Sequence, residues 1–197
     1  MLINYHLHFF LMNRALILLI LASIFGNAAG ALYTPIHAAF VDKVGGSLVD
    51  AGLTSSVYFM TVGFLIFVFG KLADKFGKYK LLITGFILLT VGDVYFIFIQ
   101  NTTMLIVGQI ILGTGLAMTN PSWNGLFSLL LESGKESTWW GTWELCISLS
   151  IAIAALFGGL IATNLGFAAV FIGKAILHTG STIAAFALGS ETCNKKY

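Results

Sequence analysis

The sequence predicts an all-α membrane protein: six transmembrane helices, built as a repeat of two three-helix units. Three observations carry that reading. Hydrophobic residues make up 58% of the 197 and charged residues only 9%, against roughly 25% charged in soluble domains. Apolar runs of the length needed to cross a bilayer, about 20 residues, recur six times. The first and fourth runs are the longest, and each holds one of the chain's two prolines. The polar–apolar alternation that a membrane β-barrel needs is missing.

The first run, 14–41, follows Arg14. It continues well past the loosely cleavage-like "NAAGA", and further spans follow, so a removed signal peptide is not expected. Residues 1–13 read as an N-terminal extension or an interfacial segment, with "MNR" at 12–14 a natural internal start. The remaining runs are 53–73, 81–99, 104–131, 139–163 and 167–188, and a polar tail fills 191–197. The six-helix bundle therefore covers 14–190. Its connections are short, so neighbouring helices run antiparallel.

Lysine and arginine set the direction, because they are retained on the cytoplasmic side. Arg14, Lys71, Lys75, Lys78, Lys80, Lys135, Lys195 and Lys196 fall on one side, Lys43 on the other. Both termini are expected in the cytoplasm and the bundle in the plasma (inner) membrane. Trp139, Trp140 and Trp143 fit an aromatic belt at the start of the fifth span.

Several classes are excluded. The net charge is +2, with no basic face on a soluble domain, so no nucleic acid is expected. Cys146 and Cys193 make no disulfide framework. His37 has no second ligand at metal spacing, and neither a metal nor a cofactor is expected. "TVGD" at 90–93 half resembles an intramembrane aspartyl-protease motif, but Thr90 stands where glycine is needed. No nucleophile is paired with a base, so an enzyme is not expected.

Aligning the prolines sets "ALYTPIHAAF" against "AMTNPSWNGLF", with Thr34 opposite Asn120 and Pro35 opposite Pro121. Paired, interrupted spans of this kind point to a transporter's binding site. Asn27 and Thr34 share a helical face, as do Gln109, Gly113, Asn120 and Asn124. These residues, with Tyr33 and His37, are the candidate cavity. Hydrogen bonding between helices is the alternative use for such side chains.

"GKLADKFGKYK" lies between spans two and three. It resembles the loop motif of the major facilitator superfamily through Gly70, Asp74, Lys75, Gly77, Lys78 and Lys80. The resemblance implies the amino-terminal six-helix half of such a transporter, with this loop as a cytoplasmic gate latch. It further implies movement of a small solute by alternating access, efflux included. A second six-helix half, from a homodimer or a separate chain, would be the partner. The alternative is a truncated or non-transporting membrane scaffold. Two departures stand out. Gln109 takes the place of an arginine found in many proton-coupled members, and Ala155 takes that of a proline in the antiporter motif before Gly158 and Gly159.

Three charges lie within spans, where charge is costly and usually faces a bundle interior or cavity. Asp93 and Lys174 sit at matching depths, roughly 10 and 12 Å from the outer surface at about 1.5 Å per residue. They are expected to form a buried ion pair, with His178 one turn from Lys174. Glu144, roughly 10 Å inside the cytoplasmic boundary, is the candidate proton carrier. Its alternative is a carboxylate reaching toward the interface or bonded to a neighbouring helix.

Overall fold

The computed structural model describes the backbone of residues 2–193 and the side chains of 14–189. The polar tail's last four positions lie outside the described residues. The chain forms α1 (Leu2–Tyr33), a 3-10 turn (Thr34–Ile36), α2 (His37–Lys43), α3 (Leu48–Phe76), α4 (Lys78–Phe96), α5 (Thr102–Leu130), α6 (Glu136–Leu165) and α7 (Phe167–Cys193). Among the described residues six spans are long and apolar enough to cross a membrane, the first being Arg14–Lys43 across α1 and α2. The helix continues backward from Arg14 through Leu2, so the backbone of residues 2–13 belongs to α1.

The ends of the helices follow from local chemistry. Ser47 and Asp50 form a reciprocal capping box at α3: the Ser47 N–H donates to Asp50 Oδ2 at 2.7 Å, and the Asp50 N–H to Ser47 Oγ at 3.3 Å. Each bond satisfies a backbone donor that the first helical turn leaves open. Asn101 caps α5 in the same manner, accepting from the Met104 N–H at 2.9 Å.

Pro35 and Pro121 have different consequences. Span one bends through the 3-10 turn that contains Pro35, whereas α5 runs unbroken through Pro121. The sequence predicts an interruption at both, and at Pro121 the structure corrects it. Hydroxyls on either side of Pro121 bond back to the helix: Thr119 Oγ1 to the Leu116 carbonyl at 3.1 Å, Ser122 Oγ to the Met118 carbonyl at 2.8 Å.

Helix packing has the symmetry of the repeat. α1 packs on α6 and α7, α5 packs on α3 and α4, and α4 packs on α7. Exchanging the first three spans with the last three maps these contacts onto one another. Small residues permit the closest approaches, since lipid supplies no hydrophobic drive between helices. At Gly158 of α6 an added Cβ would lie 2.0 Å from the Leu32 carbonyl oxygen of α1. At Gly85 of α4 it would lie 2.6 Å from Thr119 Cγ2 of α5. α3 and α6 stay on the outside, and Phe59, Phe64, Phe67, Leu156 and Leu160 leave long apolar faces uncovered.

Candidate solute site

α1 and α5 border one cavity of about 450 Å³. Asn27, Tyr33, Thr34 and His37 line it from span one, and Gln109, Asn120 and Asn124 from α5. Phe86 and Leu89 of α4 and Ser55, Tyr58 and Phe59 of α3 add an apolar and aromatic wall. Gly113 does not reach it. An α-carbon substituent there would press on α3, 3.0 Å from the Tyr58 carbonyl oxygen and from Thr61 Cβ. Helical period places Gly113 near the polar stripe, but α3 occupies the space in front of it.

The lining is rich in hydrogen-bonding groups and sparing in charge. Asn27 Nδ2 donates to the Ser23 carbonyl at 2.8 Å, which leaves its Oδ1 for other partners. Thr34 Oγ1 donates to the Gly30 carbonyl at 3.0 Å. His37 joins span one to α3: Nδ1 lies 2.7 Å from the Tyr33 hydroxyl, and Nε2 lies 3.1 Å from Thr54 Oγ1 and 3.3 Å from the Ala51 carbonyl. Trp123 and Trp143 close the far end. Trp123 Nε1 donates to the Leu19 carbonyl at 3.0 Å, and Trp143 Nε1 to Ser23 Oγ at 2.9 Å. Trp140 stacks edge-on with both and with Phe127. The tryptophans of the fifth span thus turn inward into a packed cluster, rather than standing as a belt toward lipid. The Trp143 indole N–H finds its acceptor inside the bundle, which removes its reason to stay at the interface.

At the cavity wall, Lys174 Nζ lies 2.9 Å from Asp93 Oδ1, with the two side chains 3% and 0% exposed. His178 Nδ1 bonds the other oxygen, Oδ2. Oδ1 accepts no directed hydrogen bond, so the lysine supplies charge to it off the hydrogen-bonding line. The ammonium also stands over the ring of Tyr33 at 4.9 Å and near those of Phe96 and Phe171, where ring faces attract a cation. Lys174 and His178 both border the cavity, while Asp93 lies behind them.

Two sets of candidates fall elsewhere. Glu144 is exposed on α6 and does not border the cavity. The gate motif is not a loop. Only Gly77 breaks the helix, with φ at 102°, a value that side chains disfavour. Asp74 and Lys75 sit in the last turn of α3, and Lys78 and Lys80 in the first turn of α4. Lys78 Nζ pairs with Asp74 Oδ1 at 2.6 Å, and Asp74 stays 73% exposed. Gly70 faces Pro121, where an added Cβ would make ordinary contact at 3.8 Å.

The polar stripe of α1 was legible by period. Ser55, Tyr58 and Phe59 were not, because α3 carries no continuous polar face. Trp143 reads as interfacial by type, and Trp123 gives no sign in the sequence of its place beside it.

A six-helix membrane bundle with repeat symmetry, and a polar cavity along its two proline-bearing spans, defines the class: one half of a transporter-type fold. The major facilitator superfamily model matches residues 9–192, and the chain belongs to that family. The methylenomycin A resistance protein of Bacillus subtilis is 27% identical over 139 residues, covering 70% of this chain and 30% of that protein. The tetracenomycin C resistance and export protein of Streptomyces glaucescens is 26% identical over 142 residues, 70% of this chain and 26% of that protein. The quinolone resistance protein NorB of Staphylococcus aureus is 30% identical over 129 residues, 63% of this chain and 26% of that protein. The chain thus spans under a third of the length of these curated relatives.

Proposed function

We propose that this chain acts as one six-helix half of a membrane transporter that exports a small amphipathic compound. The observation that carries the proposal is the shared cavity: the two repeat-related, proline-bearing spans meet on it, and neutral amides, hydroxyls and aromatic rings line it. Such a surface fits a compound with both polar and flat apolar parts. Alternating access would come from rocking this bundle against a second six-helix unit, across a site near the midplane. The lysine bias supports an orientation in the plasma membrane with both termini on the cytoplasmic side. Exposed Asp74 is then the latch residue offered to the second unit, and Gly77 sets the angle between the helices it joins. Glu144 serves as a proton carrier only once the second unit covers α6. The resistance and export names of the relatives support efflux as the direction.

The test is accumulation of a fluorescent quinolone in a bacterium stripped of its own drug pumps. Cells carrying the membrane-inserted chain should accumulate less than cells without it. Unchanged accumulation at verified insertion favours the scaffold reading.

A further inference from the structure

We infer that Lys174 and His178 form a docking point for the acidic group of an organic anion, a carboxylate or phenolate, held with one proton on His178. The inference rests on the reading of the cavity as the solute site and names the class of solute.

The argument begins with which charges face the cavity. Among the described residues no carboxylate borders it, while Lys174, His178 and His37 do. The one nearby acid, Asp93, is fully buried behind Lys174 and His178. With His178 neutral the cluster is balanced but polarised, Lys174 toward the cavity and Asp93 away from it. Lys174 also has donors to spare. Its contact with Asp93 is not a directed hydrogen bond, and its other neighbours are the ring faces of Tyr33, Phe96 and Phe171. A buried ammonium with unused N–H groups beside a cavity is suited to a charge-assisted bond with an anion.

His178 supplies the second contact. Nδ1 bonds Asp93, so Nε2 is the nitrogen on the ring's far side. In the neutral ring that donates through Nδ1, Nε2 holds a lone pair and repels an anion. In the protonated ring both nitrogens donate, and Nε2–H can meet a carboxylate oxygen. Binding of the anion and uptake of a proton are therefore linked. The other titratable or charged groups around the cluster come from every helix packed on it: Tyr33 of α1, His37 of α2, Tyr58 of α3, Asp93 of α4 and Lys174 of α7 itself. From α5 the facing group is neutral Gln109. Of these, only His37 is a second histidine. It is engaged on both ring nitrogens, by the Tyr33 hydroxyl and by Thr54 and Ala51.

The experiment compares two probes of one shape, 2-naphthoate and 2-naphthamide, binding to the chain in lipid nanodiscs. The readout is tryptophan quenching, since Trp123 and Trp143 border the cavity. Naphthoate should bind about tenfold more tightly than naphthamide, the worth of a charge-assisted bond over a neutral one. Its affinity should rise severalfold as the pH is lowered, while that of naphthamide stays level. His178→Gln should remove the pH dependence. The charge-neutral double variant Asp93→Asn/Lys174→Met should remove the preference for naphthoate. Equal binding of both probes to the unaltered chain overturns this inference and leaves the cavity reading standing. Binding of neither probe overturns both.

Discussion

Lys174 of α7 and Asp93 of α4 stand 2.9 Å apart, each almost wholly shielded, at the contact of the two helices that the repeat relates to each other. Removing one partner leaves an uncompensated charge among Tyr33, Phe96 and Phe171. In buried pairs that typically costs about 3–5 kcal/mol, whereas removing both is far milder. We expect Asp93→Asn and Lys174→Met each to lower the thermal midpoint of the detergent-solubilised bundle sharply, and the double variant to recover most of the loss. Additive losses would mean that the two side chains do not act as a pair.

Gly158 meets the backbone of α1 at Leu32, and no side chain fits between them. Gly158→Val should cost about 1–3 kcal/mol through overpacking. Gly159→Ala, where an added Cβ has nothing within 4 Å, should instead stabilise by about 0.5–1 kcal/mol through the helix preference for alanine. Thermal melts of the two variants compare a close approach with an open position one residue away.

Gly77 and Gly70 belong to one sequence motif but have different physical duties. Gly77 holds a positive φ between α3 and α4, so Gly77→Ala should destabilise by about 1–2 kcal/mol. Gly70 lies inside α3 with room for a methyl group. Gly70→Ala should therefore stabilise the isolated bundle by about 0.5–1 kcal/mol, the helix preference for alanine over glycine. Any loss of transport in Gly70→Ala then points to contact with the second unit. Denaturant titrations measure the two stabilities side by side.

His37 ties the end of span one to α3 through Thr54 and Ala51. Thr54→Val removes one of these contacts and His37→Ala removes them all. The single bond is worth about 1 kcal/mol, enough to loosen a seven-residue helix next to a 3-10 turn. Hydrogen exchange of the amides of 37–43 should quicken severalfold in His37→Ala, with α5 unchanged. Equal exchange in both proteins would show that the turn holds without the tie.

What the sequence made legible follows from what periodicity encodes. Apolar run length sets the spans, and a period of 3.6 groups Asn27 with Thr34 and Asn120 with Asn124. The same period groups Gly113 with them, yet periodicity carries no information about a neighbouring helix. There α3 presses its backbone against the glycine. The motif around Gly77 reads as a loop because it is charged. Its lysines can reach water from helical positions by extending their stems, so a single residue suffices for the turn. Pro121 reads as a break from its missing N–H, yet α5 continues as helix through it.

Gly30 gives the most direct test of the cavity as the solute site. It borders the cavity, and an added Cβ there meets no heavy atom within 4 Å, so a side chain at this position starts into open space. The measurement is efflux of a fluorescent quinolone from pump-deficient cells carrying the unaltered chain or Gly30→Trp at matched membrane levels. We expect efflux with the unaltered chain and its loss in Gly30→Trp, with the thermal midpoint preserved. Full efflux in Gly30→Trp would mean that the solute passes elsewhere and would contradict the account.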